Sequence, residues 1–521
     1  MVEPRTCQFL ICGSGFAGSL LAWILAKRGM HVVLIDRGQH PRFAIGESST
    51  PLADFLIARI ADRFQLPELA PLARYGTWQQ TYPLLRHGKK RGFSYFGHQP
   101  GHDFRDDSEN SRSLLVTASA SDDLSDTHWM RSDVDHWLYR SATEAGVEGI
   151  VNTPIDVIEK RDGRWYVHGE GPDGPRAWFA DWIVDASGAA GVVPAAALAQ
   201  RLDDQLLTRT GALFGHFRNV GSMTNWLRQR PGVKGDDGSD PFDADDAAQH
   251  HVLDDGWVWM LRFGGGITSV GISRTMTAWE RDGLLGAEAW QATLDRYPTL
   301  NALLGEARLV DSTHAAESVV SPPRLGWIPR ISRLWNQAAG DRWLALPSTV
   351  GIVDPLHSTG IAHALSGVER AADILLSAAL PSELAQLCRR YSDAVIDEVR
   401  WIDQLVAVCY AALPDFELFA AACSFYFIAA IECEREMSDE GSPAFGFLGA
   451  RRDEWREMVR KAYGELRSQR PRESDAARKQ FLDRLRRQIA PWNSVQLLNP
   501  LLHNRYARTA APKPSASNIE K

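Results

Sequence analysis

Three glycines near the start of the chain, Gly13, Gly15 and Gly18, stand in the spacing G-x-G-x-x-G, with Phe16 and Ala17 between the last two. Asp36, followed by Arg37, comes 23 residues after Gly13. This spacing suits phosphate binding without a charged side chain. Gly13 permits a tight turn, Gly15 lets the backbone approach a pyrophosphate, and Gly18 lets the next helix pack closely on its strand. The start of that helix offers free N–H groups and the positive end of its dipole. The Asp36 carboxylate can accept hydrogen bonds from an adenosine ribose. These residues point to a bound dinucleotide, with Gly13, Gly15, Phe16, Ala17, Gly18, Asp36 and Arg37 as its contacts. The pattern alone does not separate NAD from FAD.

Such residues work only on a strand–turn–helix–strand unit. Gln8 to Cys12 predicts the first strand, Ser19 to Arg28 the helix and His31 to Ile35 the second strand. Pro51 to Leu66 and Asp133 to Ala145 predict further helices. Gly92 to Gly97 alternates like a strand, and Trp165 to His168 and Trp182 to Asp185 are strand-like. Val258 to Phe263 and Ile267 to Ser273 flank three glycines and predict a hairpin. From about Gly367 to Arg487 the signal is nearly all helical. The acidic stretch Gly235 to Asp246 is expected to be a solvated loop, and Arg508 to Lys521 a disordered tail.

The 521 residues hold about three domains' worth of chain at roughly 150 residues each, or one large domain with insertions. Apolar residues make up 44% and charged residues 23%, which excludes a disordered, collagen-like or coiled-coil chain. A formal net charge of −8 gives no global attraction to nucleic acid or to an anionic membrane. The six cysteines form no C-x-x-C pair and no metal-ligand pattern, as expected of reduced thiols in a cytoplasmic protein. Met1 to Cys7 carries no signal-peptide core. Leu418 to Ile431 is the longest apolar run and is shorter than the roughly 20 residues of a membrane span. It is expected to be a buried helix.

Further segments resemble the flavin-dependent halogenases, within the larger class of FAD monooxygenases. Gly46-Glu47-Ser48-Ser49-Thr50-Pro51 resembles that family's loop beside the flavin, and Gly351 to Gly360 (GIVDPLHSTG) its late flavin and halide segment. Asp185-Ala186-Ser187-Gly188 resembles the strand end that returns to the nucleotide, and Arg131 to Asp135 (RSDVD) the start of the preceding helix. The resemblance covers roughly residues 7 to 375. It implies an α/β fold: a Rossmann-like FAD-binding domain with an interleaved mixed substrate sheet over residues 1–375, then a helical C-terminal domain over 376–507. It implies FAD, used as FADH2, with Glu47, Ser48, Ser49, Arg131, Asp185, Asp354, Gly360 and Ile361 as further cofactor contacts. In that family reduced flavin and O2 oxidise a halide ion to hypohalous acid, which a lysine steers to an electron-rich aromatic or enolic substrate. The implied partners are that small molecule, free or tethered to a carrier, and a separate flavin reductase.

Ser358, Thr359 and Gly360 precede a helix and are the halide candidates, since their N–H groups can face an anion. Lys90 best matches the family's lysine, with Lys89 as runner-up; a solvated cluster with Arg91 is the alternative. Two departures stand out. The family motif G-W-x-W-x-I-P is here Gly256-Trp257-Val258-Trp259-Met260-Leu261-Arg262, and Trp257 and Trp259 share one face of a strand. His357 stands where tryptophan halogenases carry a glutamate, and is the candidate for proton transfer. An FAD-dependent monooxygenase or oxidoreductase that does not halogenate is the alternative function.

Overall fold

The computed structural model describes residues 3–230, 240–310, 324–440 and 446–507. The predicted tail from Arg508, and residues 235–239 of the acidic stretch, lie outside them.

The first sheet has a parallel centre. Val32–Ile35, Arg5–Cys12, Gly174–Asp185 and Trp343–Ala345 lie side by side, with Glu148–Ile150 beyond Val32–Ile35. Val32–Ile35 is a continuous apolar run buried throughout, as a parallel strand covered on both faces requires. Register aligns Cys12 with both Ile35 and Asp185. Gly13, Asp36 and Ala186 therefore leave the sheet together at its carboxyl edge, where such sheets bind ligands. The helix Phe16–Lys27 is buried from Phe16 to Leu25 because the helices Arg131–Glu144 and Gly360–Leu375 pack against it.

Among the described residues the second sheet has nine strands and is mixed. Thr210–Arg218, Ile267–Thr275, Gly256–Phe263, Ala248–Val252, Gly92–Gly97 and Ser113–Thr117 run in that order, and Arg505–Tyr506 closes the far edge on Leu115 and Val116. Gly92–Gly97 is buried on both faces rather than alternating with solvent. Phe93 and Tyr95 face the main core, whereas Phe96 faces a second core under the helices around Trp290.

The C-terminal region is helical, led by Pro381–Ala412 and Phe416–Glu440. The helix around Leu418 to Ile431 is longer than its apolar run suggests. Phe416–Ser438 is long and apolar enough to cross a membrane, the only such helix among the described residues. Length therefore does not identify it as a core helix; burial does, with Leu418, Phe419, Cys423 and Phe425 at 1% exposure or less. The acidic stretch also departs from a solvated loop. Asp245 turns inward to Arg262 at 3.2 Å and accepts from the Met223 N–H at 3.1 Å.

Candidate functional site

The three glycines of the first turn do different work. Gly13 has φ +105°, and a Cβ there would lie 2.4 Å from the Ala186 carbonyl oxygen. A Cβ on Gly18 would lie 2.0 Å from the Gly13 oxygen. Packing of the protein alone demands both. At Gly15 the nearest atoms are Asp135 Oδ2 at 3.7 Å and Arg42 Nη2 at 3.8 Å, so the protein leaves that space open. An open cradle at the start of the helix Phe16–Lys27, flanked by the Arg42 guanidinium and by an Asp135 carboxylate already paired with Arg131, fits a dinucleotide pyrophosphate.

Asp36 ends the second strand and is buried. Its Oδ2 accepts from Ser14 N at 2.7 Å, Ser14 Oγ at 2.8 Å and Arg42 at 3.2 Å, and its Oδ1 from Gly38 N at 2.8 Å. Burial alone would raise its carboxyl, but Arg42 and these hydrogen bonds outweigh burial and hold it below the ordinary range. Arg37 is exposed; the guanidinium that reaches Asp36 is Arg42. Asp185 braces the turn that leans on Gly13, accepting from Ser187 N at 2.8 Å and Val193 N at 2.7 Å. Burial raises its carboxyl despite these bonds. Arg131 clamps the next loop. It donates in bidentate fashion to Asp135 at 2.8 and 2.9 Å, and to the Ile45 and Gly46 oxygens at 2.8 and 3.0 Å. Its guanidinium sits 4.7 Å from the centre of the Phe16 ring.

The Glu47–Ser49 loop is tied to the strand Asp126–Trp129. Trp129 N donates to Glu47 O at 2.6 Å, Ser49 N to Thr127 O at 3.0 Å, and Thr127 N to Ser49 Oγ at 3.0 Å. The Glu47 carboxylate meets His216 Nε2 at 2.7 Å, both fully buried. Ser48 Oγ is buried with no hydrogen-bond partner in the protein, which suits a ligand on this loop. Lys90 ends the strand His87–Lys90, opposite Asp126, and has no exposed surface. Its Nζ donates to Ser49 O at 2.5 Å and lies 3.9 Å from the centre of the Phe93 ring. Lys89 points the other way, to Asp122 at 2.7 Å and Asp246 at 2.8 Å. Alternation along one strand thus separates the two lysines.

The third element is the turn before the helix Gly360–Leu375. Asp354 is buried and accepts from Thr210 Oγ1 at 2.7 Å, Ser273 Oγ at 3.0 Å, Tyr410 OH at 3.1 Å and Leu356 N at 3.1 Å. These bonds set the path of Pro355–His357. Ser358 then takes φ +54°, and Thr359 leads into the helix. Gly360 is exposed, and a Cβ there would meet nothing within 4 Å. A cavity lies between this turn and the Glu47–Ser49 loop, walled by Ser48, Trp257, Trp259, Ser358, Gly360 and Ile361. Trp257 Nε1 donates to Tyr410 OH at 2.9 Å and Trp259 Nε1 to Ser269 Oγ at 3.2 Å, so both rings are fixed in the wall. Where the family motif has Ile-Pro, Leu261 joins the cavity wall and Arg262 reaches the Gly221 oxygen at 2.5 Å.

The fold thus gathers Ser48, Trp257, Trp259, Ser358, Thr359, Gly360 and Ile361 around one space, with Lys90 behind the loop and Gly15 at the separate dinucleotide turn. It does not bring His357 there. That ring stacks on Tyr426 at 4.3 Å, and its Nε2 meets Cys409 Sγ at 3.6 Å. Burial, with His250 nearby, pushes it down to about 3, so it is neutral. Arg42, His216 and Tyr410 reach this region without a sequence motif, Arg42 from the loop after the second strand and the other two from distant segments, and His250 lies in the cavity wall.

A model of the NAD(P)-binding Rossmann-like domain matches residues 11–55. The chain is 26% identical over 435 residues to the tetracycline 7-halogenase of Kitasatospora aureofaciens, covering 80% of this chain and 72% of that one. It is 23% identical over 509 residues to the monodechloroaminopyrrolnitrin halogenase PrnC of Pseudomonas fluorescens, covering 90% and 83%. The solved structure of halogenase PltM in complex with phloroglucinol and FAD has the same fold, with a TM-score of 0.80 over 97% of this chain and 100% of that one, at 22% identity.

Proposed function

We infer that this chain is a flavin-dependent halogenase, and that its substrate is an electron-rich aromatic or enolic small molecule. One observation carries the reading: a fully buried lysine, Lys90, is bonded to the back of the loop whose front walls the cofactor-side cavity. Reduced FAD, if bound here, would supply the electrons that activate O2 as the two-electron oxidant of a halide ion, giving hypohalous acid. The remaining tasks belong to the protein. The turn at Gly13, Gly15 and Gly18 and the N-terminus of the following helix hold the pyrophosphate. Asp36, kept ionised beside Arg42, accepts from the ribose. Ser48, Gly360 and Ile361 hold the ring end, and Ser49, bound to Thr127 and Lys90, braces that loop from behind. Thr359, where the helix begins, is the halide position; the Ser358 N–H instead donates to Pro355 O at 3.0 Å and fixes the turn, and the apolar rings of Trp257 and Trp259 keep water from the same space. Lys90 offers an N–H donor to the oxidised halogen on the acceptor side. The chain shows one dinucleotide turn, and we assign delivery of reduced flavin to a separate reductase.

The test mixes the protein with FAD, NADH, a generic flavin reductase, O2, catalase, bromide and a panel of electron-rich phenols and indoles, phloroglucinol included. Brominated product by mass spectrometry that vanishes in Lys90→Ala supports the reading. Product that persists points to freely leaking hypohalite, since Lys89 faces Asp122 and Asp246 on the other side of the strand. Hydroxylated product without bromine establishes the monooxygenase instead.

A further inference from the structure

Lys90 does not line the cofactor-side cavity, although the reading above requires the oxidised halogen to pass from one to the other. Two structures separate them. One is the backbone of Glu47, Ser48 and Ser49, held in place by bonds from Glu47 O to Trp129 and between Ser49 and Thr127. The other is a side chain. His250, on the strand Ala248–Val252, lines the cavity on one side. On the other its ring stacks on Tyr95 at 4.4 Å and Phe93 at 6.0 Å, and Phe93 carries the Lys90 ammonium at 3.9 Å. Its edge toward the cavity meets the Trp257 ring at 4.8 Å.

The bonding of this ring is also mismatched. Nδ1 faces Ala248 O at 2.8 Å and Nε2 faces Leu356 O at 3.1 Å. A neutral imidazole has one N–H, so it can satisfy one of these carbonyls and sets a lone pair against the other. Burial, then Lys90, push His250 down to about 3, so the ring is neutral. Rotation about its side-chain bonds gives up one hydrogen bond, not two. The second carbonyl, Leu356 O, belongs to the turn that presents Ser358 and Thr359.

We propose that the imidazole of His250 is the movable gate between the cofactor-side cavity and the buried Lys90 ammonium, turning aside to let the oxidised halogen through. It is a positioning residue, since it controls passage and takes no part in bond making. The inference rests on the halogenase reading.

The readout is brominated phenol formed per reduced flavin consumed in the FAD-loaded enzyme, with FAD affinity measured alongside by flavin fluorescence. His250→Phe keeps a stacked ring but fills the passage. It lowers that ratio by about tenfold or more while FAD affinity stays within about twofold. His250→Ala opens the passage and keeps the ratio at or above that of the unsubstituted enzyme. His250→Leu, non-planar and of similar bulk, serves if the phenylalanine variant does not fold, with the same expected drop. A ratio within about twofold of the unsubstituted enzyme in the bulky variants overturns the gate. So does a parallel loss in His250→Ala, which would make the ring a structural support. Absence of brominated product from the unsubstituted enzyme with every acceptor overturns the halogenase reading itself, and the gate with it.

Discussion

Replacing Gly15 with alanine separates what the fold needs from what the ligand needs. Gly15 has φ −63° and ψ 172°, a backbone that alanine adopts without strain. Its added methyl would meet nothing nearer than 3.7 Å. Folding should therefore gain about 0.4–1 kcal/mol through lower entropy of the unfolded chain. The same methyl stands in the space at the helix N-terminus where the pyrophosphate is assigned. Displacing the phosphates forfeits about 2 kcal/mol of dipole and N–H interaction, a factor of about 30 in Kd. Gly13→Ala behaves in the opposite way. Its methyl lies 2.4 Å from a backbone oxygen at φ +105°, so it costs at least about 1–2 kcal/mol and lowers the melting temperature of the cofactor-free protein. Thermal melting of the cofactor-free variants and fluorescence titration with FAD read the two effects separately. A Gly15→Ala protein that binds FAD as tightly as the unsubstituted one would refute the assignment of the pyrophosphate to this turn. One that does not fold would refute the steric argument.

Three further outcomes follow. Lys90→Met keeps the volume of the fully buried side chain and should cut halogenated product by about 10²–10⁴-fold while reduced flavin is still consumed, measured by mass spectrometry against flavin oxidation. His357→Phe keeps the stack on Tyr426 and should leave turnover within about threefold, because the ring is outside the cavity wall; a collapse of turnover would return His357 to the chemistry. Glu398 is buried, which alone would raise its carboxyl, but Arg370 and then His363 outweigh burial and bring it to about 2 from an ordinary 4.5. A value lowered by folding stabilises the protein above the ordinary value, and that stabilisation is lost as pH falls from about 4.5 toward 2. Urea midpoints should drop across that window, and Glu398→Gln should flatten the slope.

The dinucleotide turn was legible because its parts are contiguous: strand, three glycines, helix, strand and acid fall within one short segment. The same holds for the hairpin Gly256–Phe263 and Ile267–Thr275, whose strand pattern and glycine turn are local. Lys90 could be picked over Lys89 only through resemblance, since adjacent strand positions have opposite faces and nothing local says which face is buried. Arg42 displaced Arg37 at Asp36 because the loop after the second strand folds back, which no periodicity encodes. His250 and Tyr410 carry no motif. They join the site because the sheet strand Ala248–Val252 and the helix Pro381–Ala412 are brought against one turn from far along the chain. His357 was placed in the site by its neighbours Ser358 and Thr359. The left-handed turn at Ser358 lies directly after it, and its own ring packs on Tyr426 instead.

The pairing of Arg505–Tyr506 with Leu115 and Val116 has a bearing on how the protein is made. Arg505 also donates to Asn110 and Ser113, at 2.8 Å each, knitting the far end of the chain to its first quarter. During synthesis the strand Ser113–Thr117 emerges long before its partner, and until then it presents an unpaired edge of the kind that recruits other chains. Yield at high expression should therefore be limited by nascent chains in which Arg505–Tyr506 has not yet reached this edge. Slower translation cannot relieve that wait, whereas lower temperature or a chaperone that shields sheet edges can.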